Sequence, residues 1–213
     1  MKRLIGAALL VGALALTAAP AFAQIYETTP WHGRIGFGAA EPIGDSEKVA
    51  DTGWNFTGGF AYEPIDKKLG VRVDFLWSWM DLNNDIQTAL GGNGGGAGIN
   101  YMTVSAVLSS NRQRNISFYA FGGGGLYKNW VHVEQVDAAT GCYWDPWFGY
   151  ICVPTDVTTF HESEVNWGTG IGGGMNLALG TGSGGFYVEA AYHSVYGDKG
   201  NAEFVPVVLG FRW

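Results

Sequence analysis

The sequence is poor in long apolar runs and in charge, and each shortage excludes a class of protein. Beyond the first 16 residues, no stretch approaches the roughly 18 consecutive apolar residues of a transmembrane helix. Charged residues make up 15% of the chain, and its 12 basic residues are outnumbered by 19 acidic ones. Because nucleic-acid binding depends on basic surfaces, we expect no nucleic-acid partner.

The chain begins with the three parts of a secretory signal peptide. Lys2 and Arg3 supply a basic start, residues 4–16 are apolar, and Ala21-Phe22-Ala23 is a small-x-small cleavage site. Cleavage after Ala23 would leave residues 24–213 as one domain of 190 residues with a net charge of −9. We therefore expect residues 1–23 to direct export and to be removed from the mature protein.

Cysteine occurs only at Cys142 and Cys152. Two close cysteines in an exported chain indicate a disulfide, which would close an 11-residue ring and contribute roughly 3 kcal/mol. No His lies between them and no second cysteine pair exists, so a metal site is not expected. Aromatic side chains held rigidly by such a ring are typical of binding surfaces. The candidate recognition residues in this ring are Tyr143, Trp144, Trp147, Phe148 and Tyr150.

Much of the remaining chain alternates between large apolar residues and small or polar ones, which predicts β-strands with two unlike faces. In the last segment, Val207, Leu209 and Phe211 share one face, and Arg212 lies on the other. A soluble sheet would carry many Lys and Glu on its outer face, whereas these segments hold few charges. The apolar face is therefore expected to contact lipid. The eight segments span residues 31–38, 53–63, 69–81, 98–109, 116–128, 163–179, 186–196 and 204–213.

The connections between these segments alternate between short and mostly longer. Short turns at one end and long loops at the other are typical of outer-membrane barrels, whose short turns face the periplasm. The sequence therefore predicts an all-β fold, an eight-stranded antiparallel up-and-down transmembrane β-barrel, with a narrow interior filled by side chains. The short connections are 64–68, 110–115 and 180–185, and the others are 39–52, 82–97 (with the Gly-rich run 91–96), 129–162 and 197–203.

Aromatic residues near the segment ends are expected at the two membrane–water boundaries, which Trp and Tyr prefer. Glycines in the fifth and sixth segments are expected to leave room inside the barrel for bulky neighbours such as Tyr187 or Arg212. The predicted boundary residues are Trp31, Trp54, Tyr62, Trp79, Tyr119, Tyr127 and Trp213.

Two stretches of the chain resemble the small OmpA/OmpX-type outer-membrane barrels. Residues 186–213, FYVEAAYHSVYGDKGNAEFVPVVLGFRW, are similar to the closing hairpin of that family, and residues 118–125, FYAFGGGG, to its Tyr-x-x-x-Gly-x-Gly strand. The resemblance implies a barrel in the bacterial outer membrane whose C-terminal aromatics, Phe211 and Trp213, are read by the outer-membrane assembly machinery. It implies no single function, because the family includes structural proteins, adhesins, narrow pores and a few enzymes. No periplasmic domain is expected to follow Trp213.

Seven ionisable residues are expected to face the narrow interior, where an unpaired charge is costly. Glu189 and Arg212 lie on adjacent strands and are one predicted ion pair, while Asp74 is expected to pair with Arg34 or Arg72. Such charges form either a static plug or a gate that re-pairs to open a water path. The predicted lumen residues are Arg34, Glu63, Arg72, Asp74, Glu189, His193 and Arg212.

An active site is not expected, although His193, Ser194 and Glu203 are the residue types of a lipase-like triad. Some eight-stranded barrels deacylate lipid A with His, Ser and Glu on the lipid-facing wall, in a His-x-Ser pattern. In this chain the His and Ser are adjacent, and adjacent residues of a strand point to opposite faces. We therefore expect a protein that is not an enzyme and has no cofactor.

The leading prediction is a monomeric structural or surface-recognition protein that presents loops 129–162 and 39–52. Its expected partners are outer-membrane lipids, lipopolysaccharide, the assembly machinery and a host or other surface ligand. The first alternative is a narrow, low-conductance pore gated by the lumen charges, and the second is a lipid A-modifying enzyme.

Overall fold

The computed structural model describes residues 29–64, 68–89, 92–110, 115–136, 141–145, 148–153, 159–179, 184–198 and 200–213. Within these ranges the chain forms ten β-strands, one 3₁₀ turn (Gly44–Lys48) and one short helix, α1 (Asn84–Ala89). No helix in the described ranges is long and apolar enough to cross a membrane. The predicted signal peptide, residues 1–23, lies outside them.

Eight of the strands form one closed antiparallel barrel, and two form a separate sheet. The barrel strands are β1 (Trp31–Ile43), β2 (Gly53–Tyr62), β3 (Leu69–Asp81), β4 (Gly92–Ser109), β5 (Ile116–Val136), β8 (Thr159–Ala178), β9 (Gly185–Gly197) and β10 (Gly200–Arg212). The separate sheet pairs β6 (Gly141–Asp145) with β7 (Gly149–Val153). The barrel order is β1-β10-β9-β8-β5-β4-β3-β2. Each barrel strand pairs with the barrel strands before and after it in the chain, with β6 and β7 set aside, and β1 closes on β10. The predicted fold class is confirmed.

The two ends of the barrel differ. The 3₁₀ turn, α1 and the β6–β7 hairpin lie at one end, which we call the loop end, and Trp31 and Arg212 lie near the other, the turn end. β4, β5 and β8 contain 18, 21 and 20 residues, whereas the remaining barrel strands contain 10 to 13. β9 pairs with β8 only as far as Trp167, so β8 continues beyond that point paired with β5 alone.

Strand boundaries at the loop end differ from the predicted ones. β1 runs to Ile43 instead of residue 38, and β4 begins at Gly92 instead of residue 98. The Gly-rich run was expected to be loop, but Gly96 pairs with His132 of β5. Glycine has no side chain to display the two-residue period, so the pattern is silent there. The indole of Trp79 uses the space, since a Cβ at Gly96 would lie 2.6 Å from its Cζ2 atom.

Rings that face glycines fill the barrel interior. A Cβ at Gly170 would lie 2.5 Å from Nδ1 of His193, and one at Gly172 would lie 2.6 Å from the ring of Phe121. Alternate glycines of β8 therefore provide the room that bulky rings on β5 and β9 need. Tyr187, expected against the glycines of the fifth and sixth segments, packs against Gly36 and Gly210.

The outer wall carries an exposed apolar belt, as in a protein surrounded by lipid. Trp31, Phe60 and Ile171 are 65%, 64% and 66% exposed. Tyr119 and Tyr127 were expected at the membrane–water boundaries of the outer wall, but they are buried in the interior. The prediction was wrong because alternation along β5 places both rings on the inner face, with Phe121. The predicted boundary residues on the outer wall are Trp31, Trp54, Tyr62, Trp79 and Trp213.

Candidate functional sites

Charged side chains from β1, β3 and β9 meet in the turn-end half of the interior, around Glu189. Its Oε2 atom accepts hydrogen bonds from Arg34 Nη2 at 2.8 Å, Arg72 Nη1 at 2.7 Å and Tyr119 Oη at 2.7 Å. Its Oε1 atom accepts a further bond from Arg72 Nη2 at 3.0 Å. A carboxylate offers about four acceptor positions, so the hydrogen-bonding capacity of Glu189 is filled.

Asp74 completes a cluster that we call the lumen network, formed by Arg34, Arg72, Asp74 and Glu189. Oδ2 of Asp74 lies 2.6 Å from Nε of Arg72, and its Oδ1 lies 3.8 Å from Nε of Arg34. Two guanidinium groups thus balance two carboxylates. Each guanidinium also lies over an aromatic face, Arg34 at 4.3 Å from the centroid of Tyr187 and Arg72 at 3.4 Å from that of Phe121.

The strand register does not favour the predicted Glu189–Arg212 pair. The register places Glu189 opposite Val208 and Arg212 opposite Gly185. The two residues are therefore separated by four positions, about 13 Å along the strand pair. Arg212 instead lines a small cavity of about 30 Å³ at the turn end, together with Glu63 and the arginines of the lumen network.

His193 lies apart from the lumen network, among aromatic rings. Its Nδ1 atom is 2.8 Å from Oη of Tyr127, and its ring stacks on Tyr101 and Phe204 with centroids 4.8 Å and 5.0 Å away. Ser194 lies on the opposite face of β9 by alternation. Glu203 accepts a hydrogen bond from Oη of Tyr192 at 2.7 Å. Glu203 is the cross-strand partner of Ser194, but His193 faces the interior, so the three residues do not form a triad.

The loop-end half of the interior holds a large apolar cluster, and Asn55, Ser78 and Asn129 are also buried there. Six barrel strands contribute to one cluster of buried side chains, so these side chains meet across the lumen. Phe148, between β6 and β7, packs on this cluster at the loop end and is 8% exposed. Oδ1 of Asp145 accepts a hydrogen bond from the backbone N–H of Phe148 at 3.1 Å and fixes this turn. The largest fully buried members are Tyr127, Phe204, Met80, Leu82, Ile99, Val49 and Val131.

The β6–β7 hairpin has two unlike faces. Cys142 and Cys152 lie opposite each other and are joined, which confirms the predicted disulfide. Trp144 and Tyr150 form the next pair on that same face and are 39% and 78% exposed. Of the other predicted recognition residues, Phe148 faces the barrel, and the side chains of Tyr143 and Trp147 lie outside the described part of the structure.

A closed eight-stranded barrel with an apolar outer belt and paired charges inside has the architecture of the small outer-membrane β-barrels. Two solved structures share this fold. Neisserial surface protein A is 12% identical with a TM-score of 0.55, and the match covers 86% of this chain and 96% of that one. Ail, the attachment invasion locus protein of Yersinia pestis, is 15% identical with a TM-score of 0.51, and the match covers 87% and 100%. No family model and no curated protein matches the chain.

Proposed function

We propose that this protein is a surface protein of the bacterial outer membrane and that its β6–β7 hairpin binds a partner outside the cell. The observation that carries the proposal is the exposed Trp144–Tyr150 pair beside the disulfide. Trp and Tyr dominate the energetics of binding surfaces. Because the disulfide and the buried Phe148 hold the hairpin, little conformational entropy would be lost on binding.

In this proposal the loop end faces the cell exterior and the turn end faces the periplasm. The assignment rests on the short connections at the turn end and on the signal-peptide pattern of residues 1–23. Phe211 and Trp213 then lie at the periplasmic boundary, where their rings stack with centroids 6.4 Å apart. That position is consistent with a role for these two aromatics in recognition by the assembly machinery.

The lumen network is assigned a structural role as a plug. Its support is the filled carboxylate of Glu189, the small size of the neighbouring cavity and the apolar cluster at the loop end. An ion path would require separating charges that are paired at 2.6 to 2.8 Å and wetting an apolar cluster. This arrangement favours a plug over the alternative of a gated pore.

The test of surface recognition uses cells that express the full chain, applied to arrays of immobilised glycans and extracellular-matrix proteins. A Trp144→Ala/Tyr150→Ala variant is expected to weaken binding to the captured probe by about tenfold or more, because hot-spot aromatics have effects of that size. Asp85→Ala, an exposed residue of α1 at the same end, serves as the matched control. Equal binding by the double variant, or binding by native cells to no probe, contradicts the proposal.

A further inference from the structure

A groove of about 410 Å³ lies on the outer wall of the barrel, away from the lumen and the hairpin. It spans β3, β4, β5 and β8 toward the loop end, where Asn100 pairs with Lys128 and His132 pairs with His161. We call it the wall groove. The residues that carry the argument are Trp79, Asn100, Lys128, Trp130, His132 and His161.

Two indole rings form one side of the wall groove. The centroids of Trp79 and Trp130 are 4.8 Å apart, with the ring planes inclined by 56°. The rings lie close against the sheet because glycines leave the space beneath them. A Cβ at Gly96 would lie 2.6 Å from Cζ2 of Trp79, and one at Gly98 would lie 2.5 Å from Cε2 of Trp130. Trp130 is only 6% exposed, so it supports Trp79 from behind, and the partly exposed indole of Trp79 offers the aromatic face that suits the flat C–H face of a sugar ring.

Nitrogen donors form the other side. Lys128 is exposed, and the rings of His132 and His161 lie 6.2 Å apart. An ammonium group and imidazole N–H groups are donors suited to phosphate oxygens, and a neutral imidazole still donates one N–H. No acidic residue is among the described residues that line the groove, although the sequence as a whole carries a net charge of −7. The groove therefore offers one lysine ammonium and two imidazole rings to a ligand, with Asp81 exposed on the same face beyond Trp79.

Asn100 supplies a second, independent indication of a polar ligand. Its Oδ1 atom is buried and accepts no hydrogen bond from the described residues. A buried acceptor without a donor is costly, so such an atom calls for an explanation. A hydroxyl group of a bound ligand would donate the missing hydrogen bond.

The groove lies at the level of lipid headgroups. Trp79 is ten positions along β3 from Leu69, an exposed residue at the turn end, and Lys128 is ten positions along β5 from the exposed Phe118. At about 3.3 Å per residue and a tilt of about 40°, ten positions rise about 25 Å, which matches the height of the apolar belt of such barrels. The wall below the groove is apolar and exposed, at Met102, Val104 and Leu126.

We propose that the wall groove binds a phosphorylated glycolipid of the outer leaflet. Its sugar packs on Trp79, which Trp130 supports, a sugar hydroxyl donates to Asn100, and a phosphate binds Lys128, His132 and His161. The acyl chains then follow the apolar wall toward the turn end. The inference rests on the proposed location in the outer membrane with the loop end outward, and it is independent of recognition by the hairpin.

The test measures bound lipid by native mass spectrometry. The full chain is expressed, purified from the outer membrane and reconstituted in phosphatidylcholine nanodiscs that contain diphosphorylated lipid A, dephosphorylated lipid A or phosphatidylglycerol. We expect retention of the diphosphorylated lipid A and about tenfold weaker retention by Lys128→Gln/His132→Gln/His161→Gln, the size of one lost charge-assisted hydrogen bond. Lys48→Gln, an exposed lysine of the 3₁₀ turn at the same end, is the charge-matched control and is expected to retain the lipid.

Gly96→Ala tests the aromatic side of the groove without removing a donor. The three atoms nearest to the added Cβ all belong to the Trp79 side chain, so the substitution displaces the indole and leaves the backbone in place. Weaker retention of diphosphorylated lipid A by this variant is expected, with heat-modifiable gel mobility showing that the barrel is folded.

Three results would overturn the proposal. These are equal retention by the triple Gln variant, equal retention of phosphatidylglycerol and diphosphorylated lipid A, and a dimer mass that shows a second copy in the groove. Absence of the chain from the outer membrane at the purification step contradicts the location itself. Loss of surface binding by Trp144→Ala/Tyr150→Ala with intact lipid retention concerns the hairpin alone, so the two proposals fail separately.

Discussion

Glu189 is the side chain on which the largest number of lumen contacts depends, and its replacement by Gln removes the charge with little change of shape. We expect Glu189→Gln to lower the free energy of unfolding by about 3 kcal/mol, because two buried guanidinium groups then share the single carboxylate of Asp74. The measurement is urea unfolding of the barrel in lipid vesicles, followed by tryptophan fluorescence.

Glu47→Gln is the control for that variant. Glu47 is an exposed residue of the 3₁₀ turn, so the same chemical change in water is expected to alter the unfolding free energy by less than about 0.5 kcal/mol. If Glu189→Gln unfolds at the same urea concentration as the native barrel, the lumen network contributes no stability and the plug assignment loses its energetic basis.

Alternation along single strands places Arg34, Arg72, Asp74 and Glu189 on inward faces, and the structure has them there. The sequence also predicted that Asp74 pairs with Arg34 or Arg72, and Asp74 lies beside both. The partners of Glu189 could not be predicted, because it binds arginines from β1 and β3, neither of which is adjacent to β9 in the barrel. Such contacts depend on how far neighbouring strands are shifted relative to one another, and this shift cannot be read from one strand. Adjacency alone suggested Arg212, which the register places four positions away.

The strands were predictable where large residues mark one face, and they were not where glycine or aromatics occupy both. At the beginning of β4, residues 92–96 are glycines apart from Asn93, so no alternation of side chains can show a period. The hairpin has aromatic residues at successive positions instead of too few side chains. The sequence pattern therefore does not separate the exposed Trp144 from the buried Phe148. Only the packing of Phe148 on the barrel cluster distinguishes them.

Removing the disulfide is expected to loosen the hairpin and leave the barrel intact. In Cys142→Ser/Cys152→Ser, the local loss is roughly 3 kcal/mol, the loop-closure contribution of an 11-residue ring. The barrel is unaffected because its closed ladder contains neither β6 nor β7. Limited proteolysis followed by mass spectrometry checks for cleavage in the hairpin, while heat-modifiable gel mobility reports the barrel.

Native protein treated with a reducing agent is the matched control for the double Ser variant, since both lack only the covalent link. The two are expected to show the same cleavage pattern. A hairpin that resists protease as strongly as the oxidised native protein would show that packing of Phe148 alone holds it, which would remove the disulfide from the recognition proposal.

The barrel as a single object combines an outer wall suited to lipid with an interior that changes character along its length. The turn-end half holds paired charges beside a cavity of about 30 Å³, and the loop-end half holds the apolar cluster under Phe148. A cavity of that size accommodates about one water molecule. Conduction needs a continuous chain of water molecules through the barrel. The paired charges of the turn-end half and the apolar cluster of the loop-end half both prevent such a chain.

We therefore expect the protein to be silent in a planar lipid bilayer, with no discrete single-channel openings, while heat-modifiable mobility confirms that it is folded. Glu189→Gln is expected to be silent as well, because the apolar cluster at the loop end is untouched by that change. A large porin inserted into the same membrane is the positive control for detection. The contradicting result is ion-selective openings in the native protein whose conductance changes in Glu189→Gln. The lumen network would then be a gate, and the structure described above would be the closed state of a pore.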